Sequence, residues 1–395
     1  MRRSPPTPAT TQADTQADTQ ADTQADTQAV TLDDRALNRA LLARQHLLER
    51  AALPVAAAVE HLVGLQAQAT LPPYVGLWSR LAGFDPHALG RMLTDRSAVR
   101  LTLLRGTVHL VTARDACTLR PLMQGVIERG HRGAFGRRMG GVDLARLAAD
   151  TRTLLRDGPL TARELGRRLV ARGIGTDVQA VGRAAGVYVP LVQVPPRGVW
   201  GAGGAAAYAT LQAWTGGDLA PEPSVDALIL RYLGAFGPAS VRDAQAWSGL
   251  TRLASAFVRL RPRLAAFRDA RGRELFDLPD APRPPGEGPA PVRFLGEFDN
   301  VWLAHADRSR ILPAGYRWGH IVHGRSLGHV LVDGMVRAGW WIERDGTRQA
   351  TLTVRPFDSL SAGERDAVAA EGHGVLGFAA LEVSRRDVRF EAARG

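Results

Sequence analysis

The stretch RLTLLRGTVHLVT, residues Arg100 to Thr112, decides the fold that we expect for this chain. Short apolar runs on both sides of Arg105-Gly106 are typical of two strands joined by a turn. Three segments upstream carry apolar residues at helical spacing: LNRALLARQHLLER, VAAAVEHLVGL after Pro54, and FDPHALGRML. Three helices followed by a β-hairpin is the order of a winged helix-turn-helix unit, and we predict such a unit over residues 30–145.

The same order recurs twice further along the chain. The segment LARLAADTRTLLRDGPLTARELGRRLVARG predicts two helices, with Thr161 as N-cap and Glu164 three residues later. A short helix near 178–185 and a hairpin in VPLVQVPPRGVWG, with PPRG at its tip, complete this unit.

The third occurrence starts at Ser224 with SVDALILRYLGAFGPAS, VRDAQAWSGL and LASAFVRLRPRL, and ends in a hairpin around Arg271-Gly272. The period is loose, so we interpret it as a structural repeat and not as a sequence repeat. The predicted second and third units cover residues 146–220 and 221–280.

The C-terminal quarter has a sequence pattern that predicts mainly strands. The proline- and glycine-rich stretch 281–291 predicts a linker. Beyond it, Asp333-Gly334 and Asp345-Gly346 are two-residue hairpin signals between apolar segments. LSAGERDAVAAEGHGVLGF predicts one helix, and 381–390 a closing strand. We therefore expect an α+β protein whose residues 292–395 form a small β-sheet or barrel with one helix.

The first 29 residues are of low complexity, because TQAD repeats four times from Thr11 to Asp26. Such a tract buries too little apolar surface to offset its ordering entropy, so we predict a disordered tail without a catalytic role. The chain shows no secretory h-region and no apolar run long enough to span a membrane. Cys117 is the only cysteine, which excludes an intramolecular disulfide and a cysteine-based zinc cluster. The cytoplasm is the expected compartment.

The charge points to a polyanionic partner. Fifty basic residues stand against 39 acidic ones, every basic residue is arginine, and the net charge is +11. Residues 1–29 contribute two arginines and four aspartates, so the remainder carries +13. A body this basic suits nucleic acid; free use of arginine by a GC-rich genome is the alternative. The absence of lysine excludes a lysine Schiff base and a P-loop.

Two glutamines lie in the stretch GLQAQATLPPY, at Gln66 and Gln68. In an α-helix, residues i and i+2 lie on opposite faces, whereas in extended backbone they point the same way. A shared site therefore predicts that the regular helix ends near these residues, before Pro72-Pro73. Two uncharged amides can place a water molecule but cannot act as strong bases. They suit a reaction whose leaving group is already activated, such as a cationic N7-alkylated purine. An ordinary capping or surface role is the alternative.

Three stretches together resemble one known family: LNRALLARQHLL…HLVGLQAQATLPPYVGLWSRL, RLTLLRGTVHLVTARDA and FLGEFDNVWLAHADRSRIL. They are similar to the winged-helix DNA glycosylases of the bacterial AlkZ group, over roughly residues 32 to 395. The most specific element is the glutamine–apolar–glutamine triplet. One branch of the group has aspartate at its last position, where this chain has Gln68, as in the self-resistance branch.

The resemblance implies three tandem winged helices with a concave face for double-stranded DNA, and Gln66 and Gln68 as the catalytic pair. It implies a monofunctional glycosylase for bulky N7-alkylpurines that also unhooks interstrand crosslinks, works as a monomer and needs no cofactor. Without an imine-forming lysine, we expect no lyase step. The competing hypothesis is a winged-helix transcription regulator without catalytic activity, which would tolerate loss of Gln66.

Further residues are candidates for the site. Three are predicted to line the active site: His109, His305 and Asp307. Five are predicted to bind DNA: Arg105, Arg197, Arg271, Arg308 and Arg310. For each, a structural role is the alternative, namely a packed strand histidine, an ion pair at a domain junction, or a solvated turn. His320, His323 and His329 lack a helix and an acidic ligand at a recognisable spacing, so we predict no metal site.

Overall fold

The computed structural model describes residues 30–392 except 315, 317–320 and 323–324; the repetitive tail at 1–29 lies outside the described residues. Helices dominate the first three quarters of the described chain. Their bounds are Asp34–Arg44 (α1), Val55–His61 (α2), Pro72–Arg80 (α3), Pro86–Thr94 (α4), Ala113–Leu122 (α5), Gln124–Phe135 (α6), Leu144–Leu154 (α7), Ala162–Ala171 (α8), Val178–Tyr188 (α9), Leu211–Thr215 (α10), Val225–Phe236 (α11), Val241–Ser248 (α12), Ala254–Leu260 (α13), Asn300–Leu303 (α14) and Ala362–Ala379 (α15).

Strands connect these helices and dominate the C-terminal quarter. Their bounds are Thr31–Leu32 (β1), Leu65–Gln66 (β2), Ala98–Thr102 (β3), Val108–Thr112 (β4), Leu160–Thr161 (β5), Leu191–Gln193 (β6), Ala207–Thr210 (β7), Ala265–Asp269 (β8), Glu274–Asp277 (β9), Arg293–Leu295 (β10), Ile321–Val322 (β11), Arg325–Ser326 (β12), Gly328–Val332 (β13), Met335–Asp345 (β14), Gln349–Pro356 (β15) and Arg385–Phe390 (β16). The chain is thus a mixed α+β protein, as its patterning indicates.

Two of the three predicted hairpins form as expected. Strands β3 and β4 pair antiparallel from Ala98↔Thr112 to Thr102↔Val108, with a 3-10 turn through Arg105-Gly106 between them. Strands β8 and β9 pair in the same way around Arg271-Gly272. Thr161 also caps α8 together with Glu164 in a capping box, as the spacing predicts.

The second hairpin differs from the prediction. Strand β6 pairs with β7, and a long connection through 194–206 separates them, so PPRG is not the tip of a tight turn. The reason is tertiary packing of Trp200, whose ring centroid lies 4.8 Å from that of Tyr74. The Tyr74 hydroxyl also donates to the Gly198 carbonyl at 2.7 Å, which draws this connection towards α3.

Three helices within the first predicted unit have no counterpart in the predicted order. Pro72 and Pro73, read from sequence as a stop, begin α3, where proline at the first helical position loses no hydrogen bond. Helices α5 and α6 follow β4 directly, and the Thr112 side chain caps α5 by accepting from the Asp115 amide. The first predicted unit is therefore longer in helix than its pattern indicates.

The sheets join segments that the sequence pattern separates. One six-stranded sheet has the order β2-β4-β3-β6-β7-β5, with Arg100 opposite Gln193 where the first and second predicted units meet. A three-stranded sheet has the order β1-β8-β9, so β1 pairs parallel with the third hairpin. Arg44 and Asp277, both fully buried, form a two-pronged ion pair beside it at 2.6 and 2.8 Å.

The C-terminal region is an open sheet and not a barrel. Its order is β10-β13-β14-β15-β16, in which β10 and β16 are the two edges and do not pair with each other. The turns at Asp333-Gly334 and Asp345-Gly346 join β13 to β14 and β14 to β15, as the sequence predicts. Helix α15 packs on this sheet, with Val375 and Leu376 in the core. Among the described helices, none has the length and apolar character needed to cross a bilayer.

Candidate active site

The backbone turns sharply just before the glutamine pair. Helix α2 ends at His61, and both Val63 and Gly64 have positive φ, at 55° and 88°. Leu65 and Gln66 then run as β2 along β4, with Gln66 opposite His109. The prediction that the regular helix ends before Gln66 is confirmed.

Only glycine fits at position 64. A Cβ there would lie 2.5 Å from Val111 Cγ1 and 2.9 Å from the Leu110 carbonyl oxygen. The left-handed φ of Gly64 adds a second reason, since residues with a side chain rarely adopt it. Val63 does adopt it, although it is β-branched, and of order 1–3 kcal/mol of strain is typical of such a residue. This turn delivers β2, and with it Gln66, onto the first hairpin.

Both glutamine side chains are held by that hairpin. Oε1 of the buried Gln66 accepts from Arg105 Nη2 at 2.9 Å, and Oε1 of the exposed Gln68 accepts from the Val108 amide at 3.1 Å. Ala67 between them is fully buried, and its amide donates to the Val108 carbonyl at 2.7 Å. Guanidinium and amide N–H groups only donate, so both side-chain oxygens face the hairpin and both NH₂ groups are turned away from these partners.

Arg105 links the pair to a distant part of the chain. Its φ is 55°, and its guanidinium donates to the Trp247 carbonyl on α12 as well as to Gln66. Burial, with Arg308 nearby, lowers the pKa of Arg105 to about 10, so it remains a cation at neutral pH. Arg105, which the sequence predicts to bind DNA, thus orients Gln66 and contacts α12 of the third predicted unit (residues 221–280).

His109 lies beside Gln66 in the neighbouring strand and is buried. Its Nδ1 is 3.0 Å from the Thr107 carbonyl, an acceptor, which defines the Nδ1–H tautomer. Burial, and then the charge of Arg105, lower the pKa of His109 to about 3. The ring is therefore neutral at pH 7 and provides no proton there.

The stretch FDNVW supports the segment that carries the glutamines. Asp299 accepts two hydrogen bonds from the fully buried Arg80 on α3, at 2.7 and 2.9 Å. Asn300 Nδ2 donates to the Leu62 and Gly64 carbonyls, at 3.3 and 2.8 Å. Asn300 thus holds the turn before Gln66, and Asp299 holds the helix that follows the glutamines.

The other two predicted lining residues, His305 and Asp307, lie where the third predicted unit meets the C-terminal region. His305 is buried, its Nε2 lies 3.1 Å from the Phe236 carbonyl, and burial lowers its pKa to about 3. Asp307 is partly exposed and accepts from Arg271 at 3.2 Å and from Arg273 at 2.7 Å. Despite partial burial, hydrogen bonds from Ser309 and Arg273 hold the pKa of Asp307 at about 2.

The remaining predicted DNA-binding arginines differ in accessibility. Arg271 is exposed at the third hairpin tip. Arg197 is half-buried and donates to the Gly204 carbonyl at 3.0 Å. Arg308 lies over the Trp302 ring at 5.7 Å. Arg310 is buried and donates to the Pro238 carbonyl at 3.0 Å, so it links the C-terminal region to the third predicted unit.

No cluster of three metal-ligating side chains occurs within the described part of the chain. His329 is buried and stacks on Trp302, with ring centroids 4.1 Å apart. His320 and His323 lie outside the described residues.

Two further residues near the pair carry no recognisable sequence signal. Arg100 Nη2 donates to the Ala67 carbonyl at 2.7 Å, so a buried cation holds the backbone between the glutamines. Glu297 lines a cavity of about 360 Å³ together with Ala69 and Thr70, the two residues after Gln68. Burial raises the pKa of Glu297. Only the return of β10 to the start of α3 brings this carboxyl to the glutamine segment.

Two comparisons with known proteins bear on the family and the fold of this chain. A family model described as DNA glycosylase AlkZ-like matches residues 59–378, which is most of the chain and includes both glutamines. Among solved structures, the DNA glycosylase AlkZ of Streptomyces sahachiroi superposes with a TM-score of 0.69 at 23% sequence identity. The superposition covers 92% of this chain and 100% of that one, which shows a shared fold. No curated protein gives a significant match.

Proposed function

Since the chain belongs to the AlkZ-like DNA glycosylase family, we propose that it hydrolyses the N-glycosidic bond of bulky N7-alkylpurines in double-stranded DNA, including purines in interstrand crosslinks. The observation that carries this proposal is the placement of two amides, from Gln66 and Gln68, on one hairpin with their oxygens anchored. Two fixed neutral amides can position a water molecule for attack on a cationic leaving group.

The chemistry needs no strong base. An N7-alkylated purine carries a positive charge, so the bond from N9 to C1′ breaks with its electron pair going to the base, which becomes neutral. C1′ develops oxocarbenium character, water attacks it, and the water's proton passes to solvent, leaving an abasic site. One amide NH₂ donates to the water oxygen and the second lone pair of an amide oxygen accepts from a water proton, so that one lone pair of the water stays free to attack C1′.

The composition supports a single hydrolytic step. A lyase reaction through an imine needs an amine nucleophile, and no lysine occurs in the sequence. We therefore propose that the product is an abasic site with both strands intact. If borohydride abolished activity during turnover, this proposal would be contradicted, because borohydride traps only an imine between the enzyme and the DNA.

The rest of the chain is proposed to place the duplex. The three groups of helices and hairpin are interpreted as winged-helix units around a concave face, with the protein acting as a monomer. A crosslinked base cannot leave the helix, so we propose that the lesion is read within the duplex and not in a closed pocket. His109, His305 and Asp307 remain proposed lining residues, and Arg197, Arg271 and Arg308 proposed DNA contacts, whereas the buried Arg310 has a structural role. Gln68 at the last triplet position supports a self-resistance role against a DNA-alkylating metabolite.

The test uses two duplexes, one with N7-methylguanine and one with an N7–N7 crosslink. Base release is measured as alkali-labile strand breaks under single-turnover conditions for the wild type, Gln66→Ala and Gln68→Ala. The exposed Gln212→Ala on α10 serves as the matched control. We expect release by the wild type and the control, and its loss in both variants with DNA affinity retained.

Two other outcomes are informative. Release from the crosslinked duplex alone would place the protein in the self-resistance branch. No release from either duplex, together with tight binding to one preferred DNA sequence, would overturn the proposal in favour of a regulator.

A further inference from the structure

Positive charge is concentrated in one part of the chain. Residues 124–183 contain twelve arginines and six acidic residues, a net charge of +6 in 60 residues. The whole of 30–395 carries +13, so about a sixth of these residues holds nearly half of the excess. Helices α6, α8 and α9 carry six of these arginines against two acidic residues.

Several exposed arginines in this region form no ion pair with a described residue, and three of them lie on facing helices. Arg163 and Arg167 on α8 and Arg183 on α9 are exposed, and none of them forms a hydrogen bond or an ion pair with any residue that the structure describes. Arginines elsewhere on the surface are commonly paired, as Arg259 is with Asp226 at 2.7 Å. The nearest acidic side chain, Glu164, is turned to the Thr161 N-cap, whose amide and hydroxyl it binds at 2.9 and 2.7 Å.

The three side chains line one cleft. It lies between α8 and α9, has a volume of about 590 Å³, and includes Arg163, Arg167 and Arg183 in its lining. The helices are held together at Gly166 and Gly182, where any side chain would meet the facing backbone at 2.1–2.2 Å. This close crossing fixes the arginines on both walls.

The cleft borders a second cleft that reaches the tip of the first hairpin. Arg183 also lines a neighbouring cleft of about 320 Å³, together with Arg105 and Gly106 at the tip of the first hairpin. Arg105 is the residue that holds Gln66. The two clefts share Arg183 and together run from the tip of the first hairpin to Arg163 and Arg167; we call them the arginine groove.

We propose that the arginine groove binds the phosphodiester backbone of the duplex on one side of the lesion. Guanidinium groups without a carboxylate partner are suited to phosphate oxygens, which they bind through paired N–H donors. Such contacts position a protein on DNA without reading its sequence. The inference rests on the proposed function for the location of the lesion, but not for the binding itself.

The first experiment measures affinity for an undamaged duplex as a function of salt. The triple variant Arg163→Gln, Arg167→Gln, Arg183→Gln is compared with Arg152→Gln, Arg156→Gln, Arg242→Gln, which removes three exposed arginines of α7, the turn after it, and α12. Each lost phosphate contact lowers the slope of log K against log salt by about 0.9. We expect a decrease of about 2–3 in the groove variant and little change in the control. Equal slopes in the two triple variants would overturn the proposal.

The second experiment locates the contact. Neutral methylphosphonate linkages replace the phosphates on either side of an N7-alkylguanine, in separate duplexes. We expect the wild type to bind more weakly when the methylphosphonates lie on one particular side of the lesion, and to be unaffected when they lie on the other. The groove variant should not be weakened further by the substitution on the sensitive side. Symmetrical effects, or full additivity with the triple variant, would overturn it.

The two proposals fail in different ways. Binding to undamaged DNA needs no chemistry, so absence of base release with the expected salt slopes would reject the glycosylase activity and leave the groove. Base release with unaltered slopes would reject the groove and leave the activity. Tight binding of an acidic protein by the groove, with unaltered DNA affinity, would also reject it.

Discussion

Arg105 Nη2 donates a 2.9 Å hydrogen bond to Oε1 of Gln66, and the other arm of the same guanidinium donates to the Trp247 carbonyl. One side chain thus joins the tip of the first hairpin, the glutamine segment and α12. A cation at this position orients the amide, because a guanidinium can only donate. The relationship makes Arg105 a positioning residue for the proposed reaction.

Replacement of Arg105 by alanine is expected to lower single-turnover base release at saturating enzyme by about 10- to 100-fold, the equivalent of one lost hydrogen bond to a charged group. Arg242→Ala, at an exposed position of α12, is the matched control and is expected to keep the rate. Weaker DNA binding by Arg105→Ala with an unaltered rate at saturation would instead assign the phosphate contact predicted from sequence.

Glu297 and Asp307 are two candidate carboxylates for stabilising the positive charge that develops on the sugar. Neutral glutamines cannot balance a developing oxocarbenium ion, and Glu297 lies in the cavity beside the residues that follow Gln68. Asp307 is already engaged by Arg271 and Arg273. We expect Glu297→Gln to lower the single-turnover rate, by roughly 10²-fold for loss of a preorganised electrostatic group, and Asp307→Asn to lower it less. The reverse order would move the charge role to Asp307.

Gly64→Ala tests the turn that delivers Gln66. The added Cβ meets Val111 and the Leu110 carbonyl, and the left-handed φ alone costs about 1–3 kcal/mol. Gly83→Ala is the control: it carries only the strain of the left-handed backbone, since Gly83 has φ 63° and no atom lies within 4 Å of an added Cβ. Urea unfolding is expected to show a larger loss for Gly64→Ala. Equal losses would mean that the contacts with β4 relax without cost.

Asp299→Asn leaves the fully buried Arg80 without its counter-charge. The amide still accepts at the start of α14, so the cap is kept. Removing one partner of a buried ion pair costs about 3–5 kcal/mol. The exposed pair of Arg261 and Glu274 is the control, where Glu274→Gln is expected to cost less than about 1 kcal/mol. The free energies of unfolding from urea titrations decide between them.

Stability is expected to fall as pH decreases from 7 to 5. Burial lowers the pKa of His109 and His305 to about 3, below the 6.5 of the unfolded chain, so the unfolded state binds more protons below pH 6.5. Each histidine then removes about 1.4 kcal/mol per pH unit, or about 2 kcal/mol at pH 5. The raised pKa of Glu297 acts in the opposite direction, whereas burial also lowers the pKa of His46, to about 4, and that of His131, which adds to the loss.

The measurement is the urea midpoint at pH 7, 6 and 5, for the wild type and for His305→Gln. The variant should show a shallower pH dependence, because one of the two buried neutral rings is gone. A midpoint that does not change between pH 7 and 5 would show that these rings accept protons in the folded state.

Local structure could be predicted where the chain's own spacing decides it. The tight turns at Arg105-Gly106, Arg271-Gly272 and Asp333-Gly334 form as expected, since glycine beside a polar residue favours a turn wherever it lies. The capping box of α8 needs only Thr161 and Glu164 three residues apart. The end of the helix before Gln66 likewise follows from Gly64.

Long-range contacts are what the sequence alone left open. The second hairpin opened into a long connection because Trp200 packs on Tyr74, more than a hundred residues away. Pro72 begins a helix where the pattern indicated only a stop, and Arg80 at the end of that helix meets Asp299 from the C-terminal region. Such pairs have no spacing rule, because the energy of burying them depends on partners that only folding brings together.

The candidate site divides in the same way. The residue types and spacing of Gln66 and Gln68, and the excess of arginine, were determined by the sequence alone, since they depend on composition and backbone period. The direction of each amide was decided only by the tertiary structure, because Arg105 and the Val108 amide are donors placed there by the hairpin. The same holds for Glu297 and for the arginine groove, whose side chains meet only after the helices and sheets have packed.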